Sequence, residues 1–281
     1  MKYLLQDRLS DGSVIKLRHS TVERWSAVDH HDYHPHFEIY YNPRPQPQKI
    51  LINSELIRTE TPTVIVLSPF TIHCMTPAQQ NVFFEHYTLF CKESFFSQVD
   101  DHLLPENCRE QFVNRLFPLT DEENRYLLTI FEFLKHDLPE KEMKSAFLFF
   151  LCTLFRLVPE ERRIQAGKSG YYISEVLTYI YNNIASIPNS AGLPAIFHVS
   201  TSKLNRDFKN QLGLSPHQVV VNCKTAKAID LIRNSQFKLR DIAALCGFEN
   251  EYYFYVFFKN QTGQTPSSFR RQANPLSETA E

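Results

Sequence analysis

At 281 residues, with 43% hydrophobic and 22% charged residues, the chain is long enough for two ordinary domains and too apolar to be a disordered tail. No apolar run approaches the roughly 20 residues that cross a bilayer, so no spanning segment is expected and no membrane partner is assigned. The net charge of −1 hides an asymmetry: residues 171–281 hold 11 Lys+Arg against 8 Asp+Glu, and residues 1–170 hold 19 against 23. A basic C-terminal part on an acidic N-terminal part points to nucleic acid at one end.

The start, MKYLLQDRLSDGS, lacks a signal-peptide core, so the expected location is the cytoplasm. The cysteines, Cys74, Cys91, Cys108, Cys152, Cys223 and Cys246, are scattered with no CxxC. They read as reduced, mostly buried thiols, not as a zinc finger or a disulfide framework.

Up to about Phe90 the texture is β. Residues 14–19, 36–41, 49–53, 63–68 and 82–90 are rich in β-branched and aromatic side chains and are separated by turn formers. The proline-rich stretch 43–47 cannot lie inside a sheet and reads as a long hairpin loop. Strands at this spacing predict a small antiparallel barrel or jelly roll over residues 1–105.

The chemically interesting residues here are His30, His31, His34, His36, Glu38 and, further on, His73. His36, Glu38 and Tyr40 alternate and so share one face of a strand, with His34 in the same parity. Imidazoles and a carboxylate suit zinc, iron or nickel. They equally suit a cavity for a small polar ligand, a buried satisfied pair, or a surface. The spacing is loose, so no metal or cofactor is assigned. No defined acid, base or nucleophile stands out, so no catalytic residue is assigned either, and the chain is not read as an enzyme.

After Pro105 the texture becomes helical. Thr120 precedes Asp121-Glu122-Glu123, an N-cap followed by acidic first-turn residues, and Leu127, Ile130, Phe131 and Leu134 recur at helical spacing. A second helix begins near Pro139 or Lys141 and includes the very apolar AFLFFLCTLF. Residues 106–160 read as a helical hairpin that packs on the barrel or, because its second helix is apolar on more than one face, joins two copies in a homodimer. The charged, then Gly/Ser-containing stretch 161–170 reads as a linker.

From Tyr171 to residue 272 the pattern is helical throughout, leaving a short tail at 273–281. Leu193 to Phe197, a turn at His198-Val199, an N-cap at Ser200 and a helix from Thr201 to Asn210 form one helix-turn-helix. Leu204 and Phe208 face in. Ser202, Lys203, Asn205, Arg206 and Lys209 face out, where a base edge or phosphate would be. Ser215-Pro216 starts a connecting helix. Leu239, Ile242, Ala243 and Leu245 give the next helix an apolar face, Cys246-Gly247-Phe248 turns the chain, and Asn250 caps a second reader. Its inward face reads as Tyr253, Phe254, Phe257 and Phe258; Glu251, Tyr252, Tyr255, Val256 and Lys259 are left for the outer side.

HVSTSKLNRDFKNQLGLSPHQ, then LRDIAALCGF and YYFYVFFKNQTGQTPSSFRR, resembles the DNA-binding domain of the AraC/XylS family of bacterial transcription regulators over about Tyr171 to Arg271. The resemblance implies seven helices and two helix-turn-helix units entering successive major-groove segments of double-stranded DNA. HPHFEIYY and LSPFTIHCM also resemble the family's cupin-like sensor domain. The expected fold class is therefore α+β: a cupin-like antiparallel β-barrel with a helical hairpin, followed by an all-α domain. The expected function is an effector-controlled transcription regulator, working as a dimer with RNA polymerase as a further partner. The effector would be a sugar or related metabolite held by His34, His36, Glu38, Tyr40 and His73. The alternatives are a metal-dependent cupin enzyme fused to DNA-binding helices and a ligand-free dimeric regulator. The chain departs from the family at Val256, where an arginine is frequent, at Pro194, where alanine is usual, and at Glu251, which repels phosphate.

Overall fold

A computed structural model describes residues 2–5, 9, 13–23, 30–53, 55–167, 171–187 and 189–273. The chain divides into two compact units, one built mainly on residues 13–174 and the other on residues 175–273.

The N-terminal unit holds eleven strands among the described residues: β1 Lys2–Leu5, β2 Ile15–Val22, β3 His30–Tyr33, β4 Phe37–Asn42, β5 Gln48–Ile52, β6 Glu55–Thr59, β7 Thr63–Leu67, β8 His73–Pro77, β9 Phe84–Cys91, β10 Arg115–Pro118 and β11 Ile164–Gln165. They form two sheets. One has the order β1-β3-β8-β5-β6, the other β11-β10-β7-β4-β9-β2. The cupin-like reading rests on this two-sheet arrangement. Strand β4 sits near the centre of the larger sheet, with Glu38 opposite Leu67 on β7 and Phe90 on β9.

Alternation along β4 sorts its side chains between two cores. Tyr40 packs with Ile50 and Ile52 of the smaller sheet and with Ile65, Leu67 and Phe84, so this face looks into the space between the sheets. Ile39 and Tyr41 pack in the other core, with Val64, Val66 and Leu89 and the helices α3, Asp121–Leu134, and α4, Glu140–Leu157. Two short helices, α1 Glu93–Gln98 and α2 Cys108–Gln111, complete the same layer. Each fully buried Phe or Leu of that layer, such as Phe131, Phe147 or Leu154, contributes about 1.5–3 kcal/mol through removal from water.

Helix α3 begins where its sequence says it should. The Thr120 hydroxyl accepts from the Glu123 N–H, and the Glu123 carboxylate accepts from the Thr120 N–H. Arg162 then binds Glu123 at 2.5 Å, tying the segment after α4 back to the start of α3.

Several expectations change. The proline stretch 43–47 is not a hairpin loop, because β4 and β5 lie in different sheets. Both edges of β4 are already taken by β7 and β9, so the chain must cross over. Residues 106–160 are not helical throughout: β10 lies within them and pairs with β7. The linker reading of 161–170 fails in its first part. Residues Ile164–Gln165 pair with β10, and Ala166 and Gly167 are buried; residues 168–170 lie outside the described residues. Strands β6 and β8 escaped notice because HCMTP and ELIRT are short and mixed in polarity.

The C-terminal unit holds seven helices among the described residues: α5 Tyr171–Asn182, α6 Leu193–Ile196, α7 Thr201–Leu212, α8 Pro216–Asn234, α9 Leu239–Leu245, α10 Glu251–Thr262 and α11 Pro266–Ala273. Capping defines them. Ser200 accepts from the Lys203 N–H, Asn250 from the Tyr252 N–H, and Ser215 and Gln218 form a reciprocal box. Gly213 and Gly263 close α7 and α10 in the left-handed conformation. Pro194 falls at the second position of α6, where no helical N–H is lost. The tail beyond Ala273 lies outside the described residues.

Candidate functional site

Two places in the chain gather chemistry, one in each unit.

In the C-terminal unit, α6 and α7 form one helix-turn-helix and α9 and α10 form another. Leu204, Phe208 and Leu212 bury the inner face of α7, at spacings of four. Ser202, Lys203, Asn205, Arg206 and Lys209 are all exposed on its other side. Asp207 contacts two of them: the Lys203 ammonium at 2.5 Å and the Arg206 guanidinium at 3.5 Å. The outer surface of α7 is therefore cationic and amide-bearing, with side chains partly pre-positioned.

Helix α10 differs. Phe254 and Phe258 are buried, and Phe257 packs on Phe248 at 4.9 Å between ring centres. Tyr253, expected to face inward, is 65% exposed, beside Tyr252 at 69% and Val256 at 41%. The Phe254–Phe258 line sets the buried stripe and leaves Tyr253 outside it. Tyr255 is half-buried, its hydroxyl 2.8 Å from the Ser267 hydroxyl. Leu245 of α9 is also exposed; Cys246 takes the buried position instead. Glu251 and Lys259 are exposed at the two ends of α10. The turn between α9 and α10 is braced by Lys224, whose ammonium donates to the Gly247 carbonyl and lies 4.8 Å over the Phe248 ring. Burial pushes the Lys224 ammonium below its ordinary pKa.

In the N-terminal unit the structure brings together three of the five expected barrel residues. Glu38 Oε2 lies 2.7 Å from His34 Nε2 and 3.2 Å from His73 Nε2. All three side chains are at most 6% exposed. The segment leading into His73 is held by two partners, His34 and Asn114. The Phe70 N–H donates to the His34 carbonyl, and the Ser68 N–H and Thr71 hydroxyl both donate to Asn114 Oδ1. Asp32 of β3 pairs with His73 of β8.

His36 is buried nearby, its ring centre 6.2 Å from that of His34, and it supplies a backbone carbonyl to the cluster. Tyr40 lies further along the same face. It donates to Gln48 and stacks on His86, at 5.3 Å between ring centres. Gln48 and His86 were not singled out in the sequence. The period-two pattern of β9 could have placed His86 opposite the strand-4 face, and Gln48 was hidden by the proline stretch before it. The side chains of His30 and His31 lie outside the described residues.

The electrostatics follow from burial against one carboxylate. Burial alone would raise Glu38, but the imidazoles of His73 and His34 outweigh it and hold the carboxyl well below its usual range. Burial lowers His34. Burial also opposes the charged form of His73, yet Glu38 overcomes it and His73 is raised. His86, with burial dominant, is pushed down to about 4.

Comparison with known proteins bears mainly on the C-terminal unit. A family profile described as "Helix-turn-helix domain" matches residues 193–272. An HTH-type transcriptional activator RhaR from Cronobacter sakazakii is 26% identical over 204 residues, covering 68% of this chain and 70% of the relative. A xylose operon regulatory protein from Haemophilus influenzae is 33% identical over 75 residues, of which this chain spans 19% of the relative's length. Among solved structures, ToxT from Vibrio cholerae aligns over 92% of this chain and 98% of its own, at 12% identity and a TM-score of 0.44.

Proposed function

We propose that this chain, which belongs to the AraC/XylS family of DNA-binding transcription regulators, is a regulator whose DNA affinity is set by a small molecule held between the two sheets of its N-terminal unit. The observation that carries the DNA half is the outer surface of α7. Arg206 can be bidentate to guanine and Asn205 to adenine, while Lys203 and Lys209 suit phosphates. On α10, Lys259 suits phosphate, and Tyr252 and Tyr253 offer faces to the backbone or to thymine methyls.

The effector half rests on the buried polar set facing the space between the sheets: His34, His36, Glu38, Tyr40 and His73, joined by Gln48 and His86. Carboxylate, amide and imidazole suit hydroxyl groups, which favours a sugar or related metabolite. The Haemophilus relative, named for a xylose operon, supports the same class. A ligand of this kind regulates only if its affinity differs between DNA-competent and incompetent states.

The working form is a homodimer, with RNA polymerase as its partner at the promoter and the cytoplasm as its place. Support for self-association comes from α3 and α4. Tyr126, Phe133 and Phe149 remain 46%, 53% and 53% exposed and line a groove of about 880 Å³ on the outer side of the hairpin. Sedimentation of Phe133→Asp/Phe149→Asp tests this, with a shift from dimer to monomer expected and an unchanged mass overturning it.

The central test is a DNA-binding titration of the full chain on its own upstream DNA, with and without a panel of pentoses, hexoses and their acids. One compound is expected to change DNA affinity severalfold, and Tyr40→Ala to remove that response while leaving binding without effector intact. No response to any member of the panel would overturn the sugar-effector reading.

A further inference from the structure

We infer that Asp207 is the positioning residue of the DNA-reading helix α7: its carboxylate sets the Arg206 guanidinium for two-pronged reading of a guanine, lowering general DNA affinity while raising discrimination. The inference rests on the reading of α7 proposed above and goes beyond it, because it makes an acidic side chain the source of selectivity.

A carboxylate on a helix that meets phosphates opposes binding through its charge. Asp207 is such a carboxylate, yet its side chain is only 16% exposed. Its two oxygens are divided between two cations. Oδ2 lies 2.5 Å from Lys203 Nζ, and Oδ1 lies 3.5 Å from Arg206 Nε. An ion pair one turn apart on a helix surface adds little stability, so stability is a poor account of it.

The buried Leu204 and Phe208 fix the inward direction of α7. At about 100° per residue, Arg206 points about 180° away from that direction and Asp207 about 80° away, on the flank. Neighbouring residues of a helix do not face each other, so the guanidinium leans sideways to meet the flank carboxylate. It does so through Nε, the edge nearest its own chain. The terminal nitrogens Nη1 and Nη2 are the fork that reaches O6 and N7 of guanine.

The second helix-turn-helix supplies a comparison within the chain. Helices α7 and α10 are both 12 residues long, are capped by Ser200 and Asn250, and end at left-handed Gly213 and Gly263. Each position of α7 therefore matches the one 50 residues later, and buried Leu204 and Phe208 match buried Phe254 and Phe258. In that register Lys203 matches Tyr253, Arg206 matches Val256, and Asp207 matches Phe257, which packs on Phe248. The motif folds without a charge at the flank position. The carboxylate stands beside an arginine and a lysine in α7, and all three matching positions of α10 are uncharged.

A guanidinium held at one edge presents its fork in one orientation, which suits guanine and little else. Without that hold, a flexible arginine also reaches nearby phosphates, and those contacts favour every sequence alike. Asp207 thus turns charge attraction into base preference.

The test uses the full chain, titrated by fluorescence anisotropy on its own upstream DNA and on unrelated DNA of the same length, over a series of salt concentrations. Asp207→Asn keeps the side-chain shape and removes the charge. Binding to unrelated DNA should tighten by about two- to fivefold, with a log–log salt slope steeper by about one. The ratio of affinities for the two DNAs should fall by about five- to tenfold. In an Arg206→Ala background the same substitution should still tighten binding to unrelated DNA, but leave the ratio within about twofold.

An unchanged ratio in Asp207→Asn overturns the inference, as does an equal fall with and without Arg206. A role in folding alone predicts weaker binding to both DNAs, opposite in sign to the expected rise on unrelated DNA. That result at an unchanged melting temperature overturns the inference; at a lowered one, Asp207→Gln is judged by the same two criteria. Arg206→Ala alone separates the two readings. If it lowers the ratio and Asp207→Asn does not, α7 reads the base unaided and only the role of Asp207 falls. If it leaves the ratio unchanged, the reading of α7 falls and the role of Asp207 with it.

Discussion

Gly247 turns the chain between α9 and α10 at φ +75°, where a Cβ would lie 2.7 Å from the carbonyl oxygens of Ile184 and Ala185. Both the backbone conformation and the space demand glycine. Gly247→Ala should cost roughly 2–4 kcal/mol in the C-terminal unit, from left-handed strain plus displacement of backbone that cannot easily yield. A lowered urea midpoint for that unit checks it; an unchanged midpoint would mean the turn relaxes freely. The corresponding turn of the first unit uses His198 at φ +51°, exposed to solvent. His198→Gly should therefore stabilise by about 0.5–1 kcal/mol.

His86 gives a residue-scale pH dependence. Its imidazole is held down to about 4 by burial, against 6.5 when unfolded. Between pH 6.5 and 4 the unfolded chain takes up a proton that the folded chain refuses. Stability is thus full above 6.5 and falls as pH drops through that window, by roughly 3 kcal/mol at most. Glu38 is lowered from 4.5, so its contribution is lost only at still lower pH. The difference between urea midpoints at pH 7 and pH 5 should shrink in His86→Gln, leaving what His34, also lowered by burial, and His73, raised by Glu38, contribute. A pH 7-to-pH 5 difference of unchanged size in His86→Gln would assign the effect elsewhere.

Among the elements, α7 and α10 are unequal readers. The outer side of α7 offers Arg206, Asn205, Lys203 and Lys209; that of α10 offers Tyr252, Tyr253 and Val256, with Glu251 at its start. Arg206→Ala should lose about 1–3 kcal/mol of discrimination at one base pair and relax preference there. Val256→Ala removes two methyls from an exposed site and should change affinity by less than about 0.5 kcal/mol. Footprinting titrations on matched and mutated sites compare them; equal losses would show that both helices read bases.

These helices were legible in the sequence because each carries its own boundary signals: Ser200, Asn250 and Ser215 as caps, Gly213 and Gly263 as stops. Their buried lines follow the helical period. Tyr253 was misplaced because an aromatic run, YYFYVFF, satisfies the apolar pattern on more than one face, and only packing against Phe248 and α8 decides between them. The barrel was less legible. Alternation marked β4 and its Glu38–Tyr40 face, but β8 and β11 are short strands whose place depends on partners about 20 to 50 residues away. Their pairing is a tertiary fact with little local trace. For the same reason the sequence could propose His34, Glu38 and His73 together but could not show that they meet.

At the scale of the whole molecule, the segment carrying His73 is also the segment that holds the end of the N-terminal unit. The Ile72 N–H donates to Asn53 Oδ1, and the Asn53 N–H donates to the Ile72 carbonyl. Asn53 Nδ2 then donates to the Gly167 carbonyl, and the Gly167 N–H donates to Glu55. Gly167 sits at φ +68°, its missing Cβ 2.5 Å from Ile52. Four residues later α5 begins. A ligand that shifts the His73 loop by even a fraction of an ångström changes the hydrogen bonds Asn53 can keep. On the effector reading proposed above, such a shift would loosen or tighten the hold of Asn53 on Gly167, four residues before α5. Such a two-way contact, made or released, is the kind of element both sites can bias. Asn53→Gly, which suits the φ of +53° at this position, removes the amide link while changing no side chain of His34, Glu38, His73 or the surface of α7. Binding of the ligand to the barrel and of DNA to the apo protein should each stay within about threefold of wild type. The change in DNA affinity caused by ligand should shrink toward unity, by about 1 kcal/mol or more of coupling. Calorimetry for the ligand and anisotropy for DNA, measured separately and then together, give all three quantities. A variant that keeps the full ligand-induced change in DNA affinity would show that the signal leaves the barrel by another route.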